Sequence, residues 1–330
     1  MRVKKFICIV LILCIGISLY GCKGEGFFSR IFSKDDDIEI IRSDEEEIQV
    51  TEDDGLRNTV LYFQNGEGLL IPVMRRIPWE EGIGKLALKN MIDNPTLREN
   101  LDPTGLLPII PPETVVKGMT IDNETGICKV DFSSEFLNYE TEKEEENLIK
   151  GVVYTLTEFP AIREVKILVE GEPLEVLKFG TEVNDSIRRE DINLVEDEGE
   201  YRSKVVVYFK GNDYEEFEYF VPLTIPTLAP MPNVYTALEE LFKGAPLDMN
   251  LYSSIPTDVK LLGVEVREGT AYVDLSFNTP DETSEKYILD EIYKGVGLTL
   301  GQFEEIEKVE LLLEGKTLQE SSIPAFANEY

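Results

Sequence analysis

Residues 151–174 read GVVYTLTEFPAIREVKILVEGEPL, and residues 295–318 read GVGLTLGQFEEIEKVELLLEGKTL. The two stretches align without a gap at an offset of 144, with eleven identities in twenty-four positions. Gly151/Gly295, Thr155/Thr299, Leu156/Leu300, Phe159/Phe303, Ile162/Ile306, Val165/Val309 and Gly171/Gly315 all coincide. Working upstream, Lys129-Val130-Asp131-Phe132-Ser133 matches Tyr272-Val273-Asp274-Leu275-Ser276. Further upstream, Val60-Leu61-Tyr62-Phe63 matches Val206-Val207-Tyr208-Phe209, and Ile71-Pro72-Val73 matches Val221-Pro222-Leu223. Matches in the same order in both halves mean a tandem duplication of one module, too long to be a solenoid unit.

Each copy carries the same pattern of elements. Val60–Phe63 is β-branched and aromatic, and Leu69–Ile77 is its hairpin partner across Asn65-Gly66. A helix is expected over 79–93; in the second copy Val234, Ala237, Leu238, Leu241 and Phe242 hold helical spacing. After a Pro-rich connection (Pro108 to Pro112), Thr114–Ile121 and Ile127–Phe132 alternate as strands. A second helix is expected from Glu142 to Phe159, with Leu148, Ile149, Val152, Val153 and Leu156 as its apolar stripe. Glu164–Glu170 closes the copy as a strand. The expected fold class is α+β: two tandem ββαββαβ modules, each a largely antiparallel sheet with helices packed on one face.

The N-terminus has its own logic. Arg2, Lys4 and Lys5 precede an apolar run from Phe6 to Tyr20, then Gly21-Cys22. That is a signal-peptide length and charge order, short of the roughly 20 residues that span a bilayer. Leu19-Tyr20-Gly21-Cys22 resembles the lipobox of bacterial lipoproteins, which implies lipid attachment at Cys22 and anchoring through acyl chains. Residues 22–56 hold three runs of acid, Asp35–Asp37, Asp44–Glu47 and Glu52–Asp54. Such runs self-repel and extend, so this segment is read as a spacer. The expected division is a signal peptide at 1–21, a spacer at 22–56, modules at 57–179 and 203–320, a polar linker at 180–202 and a tail at 321–330.

Composition narrows the function classes. The 330 residues carry 64 Asp+Glu against 32 Lys+Arg, a net charge of −32. That opposes nucleic acid as a partner. There is no histidine, which removes Ser-His-Asp and Cys-His machinery and His-ligated zinc. The reading is of no enzyme, no cofactor and no metal site. Asp131 and Asp274 at matched strand ends read as caps of the following turn, together with the serine. Cys128, the one cysteine in the body, reads as a buried inert thiol. Glu142–Glu146 complements a helix N-terminus, and Gly66 and Gly68 belong to a hairpin turn. Trp79, Tyr62/Phe63 and Tyr208/Phe209 read as core or rim, with a sugar-stacking surface as the alternative.

The Val-Leu-Tyr-Phe start, the Val-Pro that follows it, Lys243-Gly244-Ala245-Pro246, Val273-Asp274-Leu275-Ser276 and Thr155-Leu156-Thr157-Glu158-Phe159-Pro160 together resemble the GerM family of sporulation and spore-germination lipoproteins. The resemblance covers both modules and the lipid site. Asp93-Asn94-Pro95 departs from the family's usual Gly-Pro, and Gly301-Gln302-Phe303-Glu304 from its usual ending. The resemblance implies a non-enzymatic module on the outer face of the cytoplasmic membrane. Its expected partners are envelope or sporulation proteins and, through acylated Cys22, the lipid bilayer. The alternatives are a cell-wall glycan-binding module in contact with peptidoglycan and, less favoured, a carboxylate-dependent envelope hydrolase.

Overall fold

The computed structural model describes residues 55–78, 82–196, 199–214, 217–277 and 282–330, all within one compact unit. Cys22, the acidic runs before Gly55 and Trp79 lie outside the described residues. In module 1, β1 (Leu56–Gln64) and β2 (Leu70–Pro78) form an antiparallel hairpin. Asn65 closes it: its Oδ1 accepts from the Leu69 N–H at 2.8 Å. Helices α1 (Ile83–Lys89) and α2 (Pro95–Leu101) follow. Then come β3 (Val116–Asp122), β4 (Ile127–Phe132), α3 (Glu142–Thr157), β5 (Glu164–Val169) and the two-residue β6 (Glu172–Pro173). Module 2 repeats the plan with β7 (Ser203–Tyr214), β8 (Phe217–Thr227), α4 (Val234–Lys243), β9 (Lys260–Arg267), β10 (Thr270–Ser276), α5 (Glu282–Leu300), β11 (Lys308–Leu313) and β12 (Lys316–Ser322).

The architecture is α+β, with mostly antiparallel ladders. Each module splits into a two-stranded hairpin and a four-stranded sheet, β3-β4-β5-β6 and β9-β10-β11-β12. Among the strand ladders of the described residues only β4–β5 and β10–β11 run parallel, each pair joined by the long helix crossover. The alternation is clean. Cys128, Val130 and Phe132 of β4 and Val165, Ile167 and Val169 of β5 face inward, as do Ala271, Val273, Leu275, Val309 and Leu311 in module 2. Helix α3 lies against β1 and β5, so it is covered by strands on two sides. Its N-terminus is a complete capping box: Thr141 Oγ1 accepts from Glu144 N–H, and the Glu144 carboxylate accepts from the Thr141 N–H.

Two elements exceed the expectation. The single helix expected over 79–93 is the short α1 and a separate α2, which starts at Pro95 with Asn94 as its N-cap. The closing strand turns back as β6 and, at greater length, β12. Both turns place Glu-Gly in left-handed conformations, Glu170-Gly171 at φ 55° and 80° and Glu314-Gly315 at φ 48° and 79°, which suits a tight hairpin.

The segment after β6 is held to its own module by a buried carboxylate. Glu145 of α3 is fully buried, and it accepts from Phe179 N–H at 2.8 Å and Thr181 N–H at 3.0 Å. Burial alone would raise its pKa; the hydrogen bonds from Thr181 and the backbone amides outweigh it and hold the pKa below the usual carboxylate range. Because the folded pKa is depressed, this contribution is present above the unfolded value and lost as pH falls through the folded one. Glu145→Gln turns an amide NH₂ toward backbone N–H groups; a loss of about 1–3 kcal/mol is expected at neutral pH, read by urea unfolding. The loss should shrink below about pH 4, and a pH-independent difference would contradict this role.

Candidate functional site at the module interface

The segment read as a linker and the segment read as a tail do the same job in reverse. Strands β2 and β8 run beside each other, one from each module. Between them lie two straps, residues 192–195 and 327–330. Leu194 bridges Thr224 of β8, and Glu329 bridges Met74 of β2, both in parallel sense. Val195 N–H donates to Thr224 O at 2.9 Å, and the Met74 N–H donates to Asn328 O at 2.7 Å. So the strap leaving module 1 pairs with module 2, and the strap leaving module 2 pairs with module 1.

Each strap then reaches across with an asparagine. Asn193 Oδ1 accepts from Leu70 N–H at 2.8 Å, and its Nδ2 donates to Leu70 O at 2.9 Å and to Pro222 O at 2.8 Å. Asn328 mirrors it. Its Oδ1 accepts from Phe220 N–H at 2.6 Å, and its Nδ2 donates to Phe220 O at 2.9 Å and Pro72 O at 2.8 Å. Leu70 and Phe220 are repeat-equivalent, as are Pro72 and Pro222. A carboxamide donates and accepts at one end of a side chain, so it stands in for a neighbouring strand's peptide group. Asn193 sits at φ 45°, a left-handed conformation that asparagine tolerates better than most residues. Both asparagines are buried.

Alongside the straps an open cleft of about 390 Å³ runs between the modules. Tyr62, Tyr154, Glu158 and Arg189 line one part of it, and Tyr208, Gln302 and Phe326 another. The Tyr62 hydroxyl donates to Glu158 at 3.0 Å, and Arg189 pairs with Glu158 at 2.5 Å. Arg189 also donates to Thr157 Oγ1 at 2.7 Å and sits 4.8 Å above the Tyr154 ring. Burial, then the Glu158 charge, pushes the Tyr62 hydroxyl well above its usual range, and burial raises Tyr154 to about 12. The tyrosines are therefore neutral, with their rings covered: Tyr62 is 5% and Tyr154 8% exposed. In module 2 the position of Glu158 is Gln302, whose amide accepts from Val206 N–H at 2.9 Å and donates to Val206 O at 2.7 Å.

The other polar ties repeat or diverge copy by copy. Thr155 and Thr299 accept the backbone N–H of Tyr62 and Tyr208 at 3.3 and 3.2 Å. Asn147 donates to Gln64 at 2.8 Å in module 1. At the same positions in module 2, buried Lys210 pairs with Glu291 at 2.6 Å and also with Glu218 at 2.5 Å. Burial opposes the Lys210 charge, but its two carboxylate partners outweigh that and raise its pKa.

Of the residues singled out in the sequence, Tyr62 and Tyr208 line the cleft, and the other described ones fall outside its lining. Asp131 and Asp274 are matched in role, but the turn each one caps is not the next one. Each accepts the N–H of the distant hairpin glycine, Gly171 at 2.8 Å and Gly315 at 2.9 Å. Ser133 is occupied elsewhere, accepting from Val115 N–H. Cys128 is free and fully buried, and burial pushes its thiol up to about 12. Glu142, Glu144 and Glu145 lie in the first turn of α3, as expected for that helix end. Gly68 at φ 74° belongs to the first hairpin's turn. Phe63 and Phe209 are core. Among the described residues no group of three His, Cys, Asp or Glu is placed to hold a metal ion, and no helix is long and apolar enough to cross a membrane. Sequence reasoning missed Asn193 and Asn328. The only signal was their matched place, one after each module.

Asn193→Ala and Asn328→Ala each leave a buried N–H and two carbonyls without partners. A loss of about 1–3 kcal/mol for each is expected in chemical unfolding. A change within about 0.5 kcal/mol, the range of an ordinary surface substitution, would contradict the clasp.

Comparison with known proteins gives the context. The family model described as Germane, sporulation and spore germination, matches residues 60–175 and 206–319, one match per module and together more than half of the chain. The spore germination protein GerM of Bacillus subtilis (strain 168) is 29% identical over 269 residues, covering 78% of this chain and 71% of that one. The solved structure of the tandem GerMN domains of the sporulation protein GerM from Bacillus subtilis superposes with a TM-score of 0.70 at 26% identity, over 83% of this chain and 99% of that one. With both copies matched and the tandem architecture shared, the chain belongs to the Germane family of sporulation and spore-germination proteins.

Proposed function

We propose that this chain is a membrane-anchored, extracytoplasmic scaffold that binds other envelope proteins during sporulation or germination and catalyses no reaction. The observation that carries the reading is an apolar tip on module 2. From Tyr219 to Leu238 no side chain carries a charge, in a protein that is 29% charged. Where β8 runs into α4 this stretch stands out from the surface, with Leu228 74%, Met231 67% and Tyr235 52% exposed. Prolines 226, 230 and 232 stiffen it. A rigid, uncharged, protruding surface is the physical profile of a protein contact. The Tyr62 and Tyr154 rings are covered, and of the aromatics lining the cleft only Tyr208 and Phe326 are partly exposed, which gives the glycan-binding alternative less support than the apolar tip gives a protein contact. Asp131 and Asp274 are each engaged in closing a turn, which disfavours the hydrolase.

The anchor in this proposal is Cys22, supported by the basic start, the apolar run and the Gly21-Cys22 junction. Acylation there would hold the modules at the outer face of the cytoplasmic membrane. Two measurements test the proposal. In crosslinked sporulating cells, full-length protein should recover protein partners, and Leu228→Glu with Met231→Glu should lose them while leaving unfolding unchanged. Recovery of peptidoglycan alone would overturn the scaffold reading. Cys22→Ala should leave the membrane fraction; if it remains there at full-length mass, the lipid assignment fails.

A further inference from the structure

The two copies differ at one edge. Val60 of β1 stands opposite Met74 of β2. Met74 turns its own N–H and C=O away from β1, to Asn328 and Tyr330. In an antiparallel ladder that pairing leaves the Val60 N–H and C=O on the outer edge of β1. Val206, its equivalent, stands opposite Thr224, whose N–H and C=O are likewise taken by a strap. There the outer edge is closed by the Gln302 carboxamide, which bonds both backbone groups of Val206. In module 1 the position of Gln302 is Glu158. A carboxylate cannot donate to a carbonyl, and Glu158 is drawn instead to the Tyr62 hydroxyl and Arg189. Among the described residues nothing takes its place on Val60, which opens into the cleft between the modules.

We propose that the outer edge of β1 at Val60 is a strand-addition site for one extended peptide segment of a partner protein. The segment's backbone supplies the two hydrogen bonds that Gln302 supplies to Val206. Module 2 is the internal template, since it shows a primary amide seated on the same edge with good geometry. An exposed edge is otherwise a hazard that folds cover or charge, and here one copy is covered and the other is left open beside a cleft. Backbone pairing gives such a site its affinity, and the cleft walls give its selectivity. This inference rests on the reading of the protein as an interaction module, and adds to the apolar tip of module 2 a second contact site on module 1.

Two variants test it by opposite means. Glu158→Gln installs the module 2 solution and should close the edge. Val60→Pro deletes a donor that faces the outer edge and makes no hydrogen bond to β2, the side of an edge strand on which proline is tolerated. Linear peptides selected from a random phage-displayed library on the full-length protein are the probe. Their affinity should fall roughly tenfold to a hundredfold in Glu158→Gln, the worth of two backbone hydrogen bonds, and up to about tenfold in Val60→Pro, which deletes one. In the wild type they should slow amide hydrogen exchange at Val60, and in the free proteins Val60 should exchange faster than Val206. Peptides that bind both variants as tightly as the wild type would overturn the site. So would Val60 protection by muropeptide stem fragments but by no selected peptide. Either result leaves the scaffold reading standing if the Leu228/Met231 variant still loses its partners.

Discussion

Two buried side-chain amides, Asn193 and Asn328, make the modules one body. Each lies between β2 and β8, and each donates to carbonyls of both modules. Backbone groups on a strand edge need partners when water is excluded. A direct β2–β8 ladder would supply them from one strand to the other. Here the straps fill the gap, each pairing through its backbone with one module and through its asparagine side chain with both. Because the exchange is reciprocal, neither module buries this edge without the other's strap.

The duplication has kept its geometric devices and varied its polar pairs. Thr155 and Thr299 still tie a helix to the hairpin edge, and Asp131 and Asp274 still hold the Glu-Gly turn. At other matched positions one copy is neutral and the other charged. Gln64 with Asn147 becomes Lys210 with Glu291, and Glu158 becomes Gln302. A buried ion pair is weak evidence for stability, whereas changing Glu158 to Gln302 decides whether a strand edge is open. The second kind of change bears on binding.

The sequence carried most of the module and little of the interface. Hydrophobic alternation in Ile127–Phe132 and Glu164–Val169 set strand and facing because each strand buries one side. The repeat itself set the tandem architecture. Helix α2 was legible in principle: Asn94-Pro95 is an N-cap followed by proline at the first helical position, but it read as a departure in a turn. The straps were not legible. Residues 180–202 are polar and charged, the composition of a linker, and the partners of Asn193 lie 123 and 29 residues away. No local period encodes a contact of that kind. The lipobox and spacer are sequence readings alone, since Cys22 lies outside the described residues.

Differential scanning calorimetry of the full-length protein tests the reciprocal clasp most directly. If the straps make the two modules one body, the wild type unfolds in a single transition whose calorimetric and van't Hoff enthalpies agree. Removing both asparagines together should split that transition into two. Two separate transitions in the wild type, unchanged in the double variant, would show that the modules fold independently and would contradict the account.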